Sequence, residues 1–409
     1  MIQHQVYFDT LGSMKEGTPS WRSVFAGLSV LRFVDAYAAA GSPSARPGWT
    51  QLHSVRVAIE EMSEGDVIRG VLTSVIDDLT ARGYVDDAVC TSLVAYGRAL
   101  DYEASWGLAT DVFTTVAKMV KPERNARLAV EAHVAAGGAA RRNGEWEISA
   151  RAYSQAAFIA DTLGDRPGVL TVQIGIANTY QAKGNLPQAQ LILDDVIVQA
   201  RDQDLPEIQA DALHGRAALV ARLGNPAEGL KLAHEALELM TKPGSRDVVL
   251  ADIAGMFTEL GLHDAARDAH MVLIATAQSK VVRWSATLNL MELASLDGME
   301  EAFDKYALEL AKTPLGPWLR SHYLLFLGEG FQRFGREPAA ADALEEAARF
   351  AEANQIHQMA FKAEAALAQS RSLPTRKSTF SVPSPWVPDD IDCVVRAIAD
   401  LRKAVLAAT

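Results

Sequence analysis

Cysteine is almost missing from this 409-residue chain: Cys90 and Cys393 are far apart, each among mostly apolar neighbours. Two such thiols exclude a disulfide framework and a cysteine-rich metal site, and both are expected to be buried and inert. Aromatic residues make up only 7% of the sequence, and no alternating β-branched run is long enough to suggest a sheet. No stretch reaches the roughly 18 apolar residues of a membrane-crossing helix. The opening MIQHQVYFDTLGSMKEG also lacks the basic segment, apolar core and small-residue cleavage site of a secretory signal, so a cytoplasmic protein is expected. Positive charge is scarce as well. With 39 Lys and Arg against 51 Asp and Glu, the net charge of −12 repels phosphate backbones and argues against general nucleic-acid binding.

Motifs that carry chemistry are absent too. No zinc-protease, nucleophile-elbow or phosphate-loop pattern occurs: Gly137-Gly138 is followed by AARRNG, without the Lys-Ser/Thr that holds phosphate and magnesium. Gly328-Glu329-Gly330 has no preceding strand and reads as a helix-packing feature rather than a dinucleotide loop. The acidic pairs Asp77-Asp78, Asp86-Asp87, Asp194-Asp195 and Asp389-Asp390 do not make chelates, because adjacent helical residues point about 100° apart. Helix capping and solvated faces account for them. The nine histidines form no ligand cluster, and His270 is expected to be a satisfied structural residue. No catalytic residue, cofactor or metal is expected.

What is present is a period. Gly144, Gly184, Gly224, Gly261, Gly298 and Gly335 follow one another at intervals of 40, 40, 37, 37 and 37 residues, each ending one amphipathic stretch and opening another. Such spacing marks stacked helical hairpins. Small residues recur where two helices must approach: Gly137, Ala177, Ala217, Ala254 and Gly328 stand seven before the glycine, and Ala189, Gly229, Ala266 and Ala340 five after it. Ala156, Ala236 and Ala347 repeat the rule twelve after, and Tyr180, Phe257 and Phe331 supply bulk four before. The pattern is weaker at Gly298, where Met291 and Phe303 replace small residues, and Gly107 matches a further turn only in spacing. Prolines 167, 206, 243 and 314 fall between repeats, where a helix must stop.

At these residues the sequence resembles the tetratricopeptide repeat family, with periods longer than the common one of about 34 residues and hence about one extra helical turn per hairpin. The fold expected is all-α: a right-handed α-solenoid of stacked antiparallel hairpins, with a divergent N-terminal helical cap and a C-terminal capping helix. Four segments follow: a cap and divergent hairpins over 1–105, repeats over 106–372, a proline-rich linker over 373–390 and an amphipathic helix over 391–409. In that helix Ile391, Val394, Val395, Ile398, Leu401 and Val405 make one apolar stripe, which must dock on the last repeat or on a second subunit.

The resemblance implies that the first helix of each hairpin faces a concave groove and that this groove binds a protein or peptide. Carried over by position, the groove residues are Glu131, Arg141 and Arg142, then Asn178 and Gln181, then Asp211, His214 and Arg222. Thr258 and Glu259 follow, then Glu292, and finally His322, Glu329, Gln332 and Arg333. Arginine dominates early and glutamate late, which matches a partner with an acidic and a basic portion. The asparagine ladder of peptide-binding members is missing, since only Asn178 stands six before a turn glycine. The lysine set that clamps a C-terminal carboxylate is missing as well. The reading is a non-catalytic scaffold or adaptor with no membrane partner. Its rivals are a ligand-responsive regulatory or assembly subunit that dimerises through the last helix, and an all-α enzyme with a scattered site.

Overall fold

The computed structural model describes residues 3–40, 46–64, 66–277, 279–354, 356–372, 389 and 391–408. Among these residues the regular elements are twenty α-helices, and the chain divides into two compact units, Met1–Ile192 and Leu193–Thr409. The proline-rich segment assigned above as a linker lies, apart from Asp389, outside the described residues.

The first unit opens with α1 (Gln5–Ser13), α2 (Pro19–Ala39), α3 (Trp49–Glu60) and α4 (Val67–Arg82). Hairpins follow: α5 (Asp87–Tyr102) with α6 (Trp106–Met119), α7 (Ala126–Arg142) with α8 (Trp146–Thr162), then α9 (Arg166–Ala182) leading into α10 (Leu186–Asp202), within which the unit ends at Ile192. From α1 to α9 each helix packs on the next, and α5, α7 and α9 also touch in series. Such contact between alternate helices is what stacks hairpins into a solenoid.

The turns explain the period. Gly144, Gly184, Gly224, Gly261, Gly298 and Gly335 all take φ between 71° and 87°, the left-handed region that glycine enters without a steric cost. The next residue then donates its N–H to a carbonyl five positions back, as Glu145 does to Ala140 at 2.8 Å and Leu262 to Phe257 at 2.8 Å. The same closure occurs at Ala104, with φ 56° and Ser105 bonded to Leu100 at 2.9 Å. The turn before Gly144 is therefore at Ala104, and Gly107, the sequence candidate, lies inside α6. The hairpin α5–α6 is accordingly a regular repeat.

The second unit contains α11 (Pro206–Arg222), α12 (Pro226–Leu239), α13 (Pro243–Glu259), α14 (His263–Thr276), α15 (Lys280–Leu296), α16 (Glu300–Ala311), α17 (Pro317–Arg333), α18 (Glu337–Ala353), α19 (His357–Ser372) and α20 (Asp392–Ala408). From α7 to α17 the first helices keep 17 residues, whereas the second helices run 17 in α8 and α10 but 14 in α12 and α14 and 12 in α16, in step with the change of the glycine interval from 40 to 37. Pro167, Pro206 and Pro243 sit in the first turn of α9, α11 and α13, where the missing N–H has no helical acceptor to lose. They begin helices rather than end them.

The crossing positions are as small as the pattern requires: Ala177, Ala189, Ala217, Ala254, Ala266 and Ala340 are wholly buried. The irregular hairpin α15–α16 buries Met291 and Phe303 completely. Room for Phe303 comes from α17, where a Cβ on Gly330 would stand 2.3 Å from the ring, and a Cβ on Gly328 would stand 2.6 Å from Leu344. Both glycines of Gly328-Glu329-Gly330 therefore serve helix packing.

The last helix departs from expectation in position. Ile391, Val394 and Ile398 are buried in the core of the second unit, but α20 packs on α14 and α12, the second helices of two internal hairpins. Arg402 reaches Asp268 of α14 at 2.5 Å. The apolar edge of α18 is covered by α19 instead. The stripe that could have joined two subunits is thus consumed within the chain. Cys393, expected to be buried, is exposed because it lies off that stripe, while Cys90 is buried.

Candidate functional site

In the first unit the exposed faces of α5 and α7 are joined by ion pairs one repeat apart. Arg98 pairs with Glu131, and Arg142 grips both oxygens of Asp101, with its Nε at 3.0 Å and Nη2 at 2.5 and 2.6 Å. Two candidates from the sequence, Glu131 and Arg142, therefore have their charge met by α5. Arg141 differs: it is half-buried, and its Nε has no hydrogen-bond partner. Burial pushes its pKa down, opposed by the adjoining Tyr153 phenol. On α9, Asn178 is half-buried and Gln181 is buried.

The second unit repeats the lateral pairing. His214 of α11 meets Asp252 of α13 at 2.6 Å, and Arg333 of α17 donates to Ser295 Oγ of α15 at 2.8 Å. Asp211 keeps access to solvent, yet the protein mass around it pushes its pKa up while Lys242 and His214 pull it down. Arg222 and Glu259 are exposed, and Thr258 turns back to the Ala254 carbonyl of its own helix at 3.0 Å.

Around α17 the structure gathers the later candidates. Glu292 from α15 is half-buried, its pKa raised by burial and by Glu329 against the pull of Arg333. Glu329 accepts from Arg333 at 3.4 Å, and Gln332 donates to the Ala366 carbonyl of α19 at 3.1 Å. His322, whose pKa burial lowers, contacts Trp318 at 4.7 Å and Phe326 at 6.0 Å between ring centroids. Trp318, His322 and Phe326 recur at four-residue spacing and are all partly exposed, so they form one aromatic row on a helix face. The expected change from arginine to glutamate along the repeats is blunted, because Arg142 is already neutralised and Arg333 sits among the glutamates.

Neither the aromatic row nor the lateral partners Arg98, Asp101 and Asp252 were singled out from sequence. A signal existed in opposite charges 33, 41 and 38 residues apart, close to one repeat. Among the described residues no group of three His, Cys, Asp or Glu is placed to hold a metal ion, and no helix is long and apolar enough to cross a membrane.

No protein-family model matches the sequence, and no curated protein matches it. Among solved structures, the Rap protein complexed with competence and sporulation factor is 14% identical over 85% of this chain and 97% of that one, with a TM-score of 0.36. A putative kinesin light chain of Podosopora anserina with nearly identical TPR-like repeats is 15% identical over 55% of this chain and 96% of its own, at 0.30. BtubC (BKLC) from P. vanneervenii is 13% identical over 47% of this chain and 82% of its own, at 0.35. Likenesses this distant carry no function. The tetratricopeptide-like character of the chain rests on its own hairpins, glycine turns and small-residue crossings.

Proposed function

We propose that this chain is a non-catalytic, cytoplasmic scaffold or adaptor that binds a protein segment along the exposed faces of its first helices. Stacked hairpins offer extended surfaces rather than closed clefts, and recognition on them uses rigid side chains at regular spacing. The observation that carries the reading is the face of α17. There Trp318, His322 and Phe326 stand beside Glu292, Glu329 and Arg333, all partly exposed, so apolar contact area and charge are presented together. Aromatic and arginine side chains are the residues that most often dominate binding energy.

The test is capture of partners from cell extract by the full chain, read by mass spectrometry. Trp318→Ser combined with Glu329→Lys is expected to lose partners that the wild type retains. Phe158→Ser, at a residue 68% exposed on the second helix α8, is expected to keep them. Equal capture by the α17 variant and the wild type would refute this assignment of the surface.

A further inference from the structure

Arg141 is a cation without a counter-ion. No carboxylate among the described residues lies within ion-pair distance of it, although Arg142 beside it is fully engaged by Asp101. Two other arginines, Arg216 and Arg402, also leave a buried nitrogen unpartnered, but each holds a carboxylate, Asp194 at 2.8 Å and Asp268 at 2.5 Å. Among the described residues the Tyr153 phenol is the one side-chain hydrogen-bond partner of Arg141; it is neutral, and the Nε is left without any, so the charge itself is unmatched while the half-buried position limits solvent. Leaving a desolvated guanidinium without a counter-ion costs stability.

The surroundings keep the charge approachable. Tyr153 of α8 passes between Gly137 of α7 and Gly175 of α9: a Cβ on the first would lie 2.9 Å from its ring, and one on the second 2.9 Å from its hydroxyl. Gly138 adds a third position without a side chain, where a Cβ would stand 3.7 Å from both Arg142 Nη atoms and from the Tyr153 hydroxyl. The polar ends of Arg141, Arg142 and Tyr153 thus gather round a floor of glycine backbone. Asn178, on the same helix as Gly175, is half-buried nearby in sequence.

We propose that Arg141, with the Tyr153 phenol beside it, receives a single carboxylate of the bound segment, which makes the partner an acidic peptide. This rests on the scaffold reading given above and adds the chemistry of its ligand. The charge count selects a carboxylate over a phosphate. Asp101 cancels Arg142 and Glu131 cancels Arg98, so one positive charge is left, in a molecule of net charge −12. A monoanion balances it, whereas a dianion would leave negative charge beside Asp101. The planar guanidinium fork suits a carboxylate through two parallel N–H donors.

The experiment measures binding of fluorescent hexaglutamate to the full chain at low and high salt, with hexalysine and inorganic phosphate as the other probes, and thermal melting of each protein. Wild type is expected to bind hexaglutamate in a salt-sensitive way. Arg141→Met is expected to bind it more than ten-fold more weakly, about 1.4 kcal/mol, and to melt no lower than wild type, because the uncompensated charge is gone. Arg141→Lys, which keeps the charge without the fork, should fall between the two. Equal affinity for wild type and Arg141→Met overturns the proposal, as does a lower melting temperature for Arg141→Met with no hexaglutamate binding by wild type. Phosphate displacing hexaglutamate at equal concentration overturns the choice of carboxylate. The α17 variant tests the scaffold on a different hairpin, so partner capture that depends on α17 together with a failed hexaglutamate result would remove the Arg141 assignment alone.

Discussion

Gly97 of α5 lies directly beneath the ring of Phe113 in α6: a Cβ there would stand 2.5 Å from the ring's Cε1 and 2.8 Å from two further ring atoms. The same sixteen-residue relation recurs between Gly137 and Tyr153 and between Gly328 and Leu344, so a missing side chain on the first helix is matched by a large one on the second. Gly97→Ala is expected to destabilise the chain by about 1–3 kcal/mol through overpacking. Phe113→Leu in the same molecule should recover part of that loss. Denaturation midpoints of the two single variants and the double variant measure the coupling, and simple additivity would show that the two residues do not share one space.

This relation shows where sequence reading succeeds and where it stops. Glycines at Gly144 through Gly335 announce the turns because each takes positive φ, and the small crossings follow from them. Ala104 escapes notice because alanine occupies the left-handed turn at a modest energetic cost, leaving no glycine to count. Gly97 and Phe113 would have revealed that hairpin, had the pair of small and large positions been sought rather than the turn. The docking of α20 on α12 and α14 was out of reach for another reason. An apolar stripe states that a face must be covered, and nothing in its residues says which of several similar second helices will cover it. The candidate site was only partly readable, since Glu131 and Arg142 look like free groove charges until the neighbouring helix supplies Arg98 and Asp101.

Because α20 covers internal helices, its loss should act in the middle of the second unit. Ile398→Asp places a carboxylate at a residue 1% exposed, in contact with the core that contains Leu237 and Val272. An uncompensated buried charge there is expected to release the helix. Hydrogen exchange should then rise in α12 and α14 while α18 and α19 stay protected. Exchange that rises in α18 and α19 instead would place the helix on the terminal hairpin.

His4 joins three helices, with Nε2 at 2.7 Å from Asp35 of α2 and Nδ1 at 2.5 Å from Asp111 of α6, just ahead of α1. Burial alone would lower its pKa, but hydrogen bonds and charge from Asp111 and Asp35 outweigh it and hold the ring near a pKa of about 9. A folded value above the unfolded one means that the folded state binds the proton more tightly. The stabilisation is complete below pH 6.5 and fades as pH rises towards about 9. Its size is about 3 kcal/mol at most. His4→Gln should melt lower than wild type at pH 6 and approach it at pH 10, so melting curves that differ by the same amount at both values would remove the ion pairs as the cause.

His270 carries the opposite sign. It is 2% exposed in α14, and its Nδ1 has no hydrogen-bond partner, so the sequence expectation of a satisfied structural histidine fails at that atom. Desolvation lowers its pKa to about 4. The unfolded chain therefore binds the proton first as pH falls, and stability is lost between about pH 6.5 and 4, whereas above that window the neutral ring costs only its unpaired nitrogen. Leu193 and Leu344 fill the equivalent place nine residues after their turn glycines, and both are wholly buried. Leucine consequently fits this position without a polar atom to satisfy. His270→Leu is expected to raise stability at pH 7 by about 1–3 kcal/mol, the usual cost of an unsatisfied buried group, and to flatten the acid limb of the stability profile. Chemical denaturation at pH 7 and pH 5 decides the matter: a variant that is weaker at pH 7, or that loses as much stability on acidification as the wild type, would show that the ring contributes packing that leucine cannot replace.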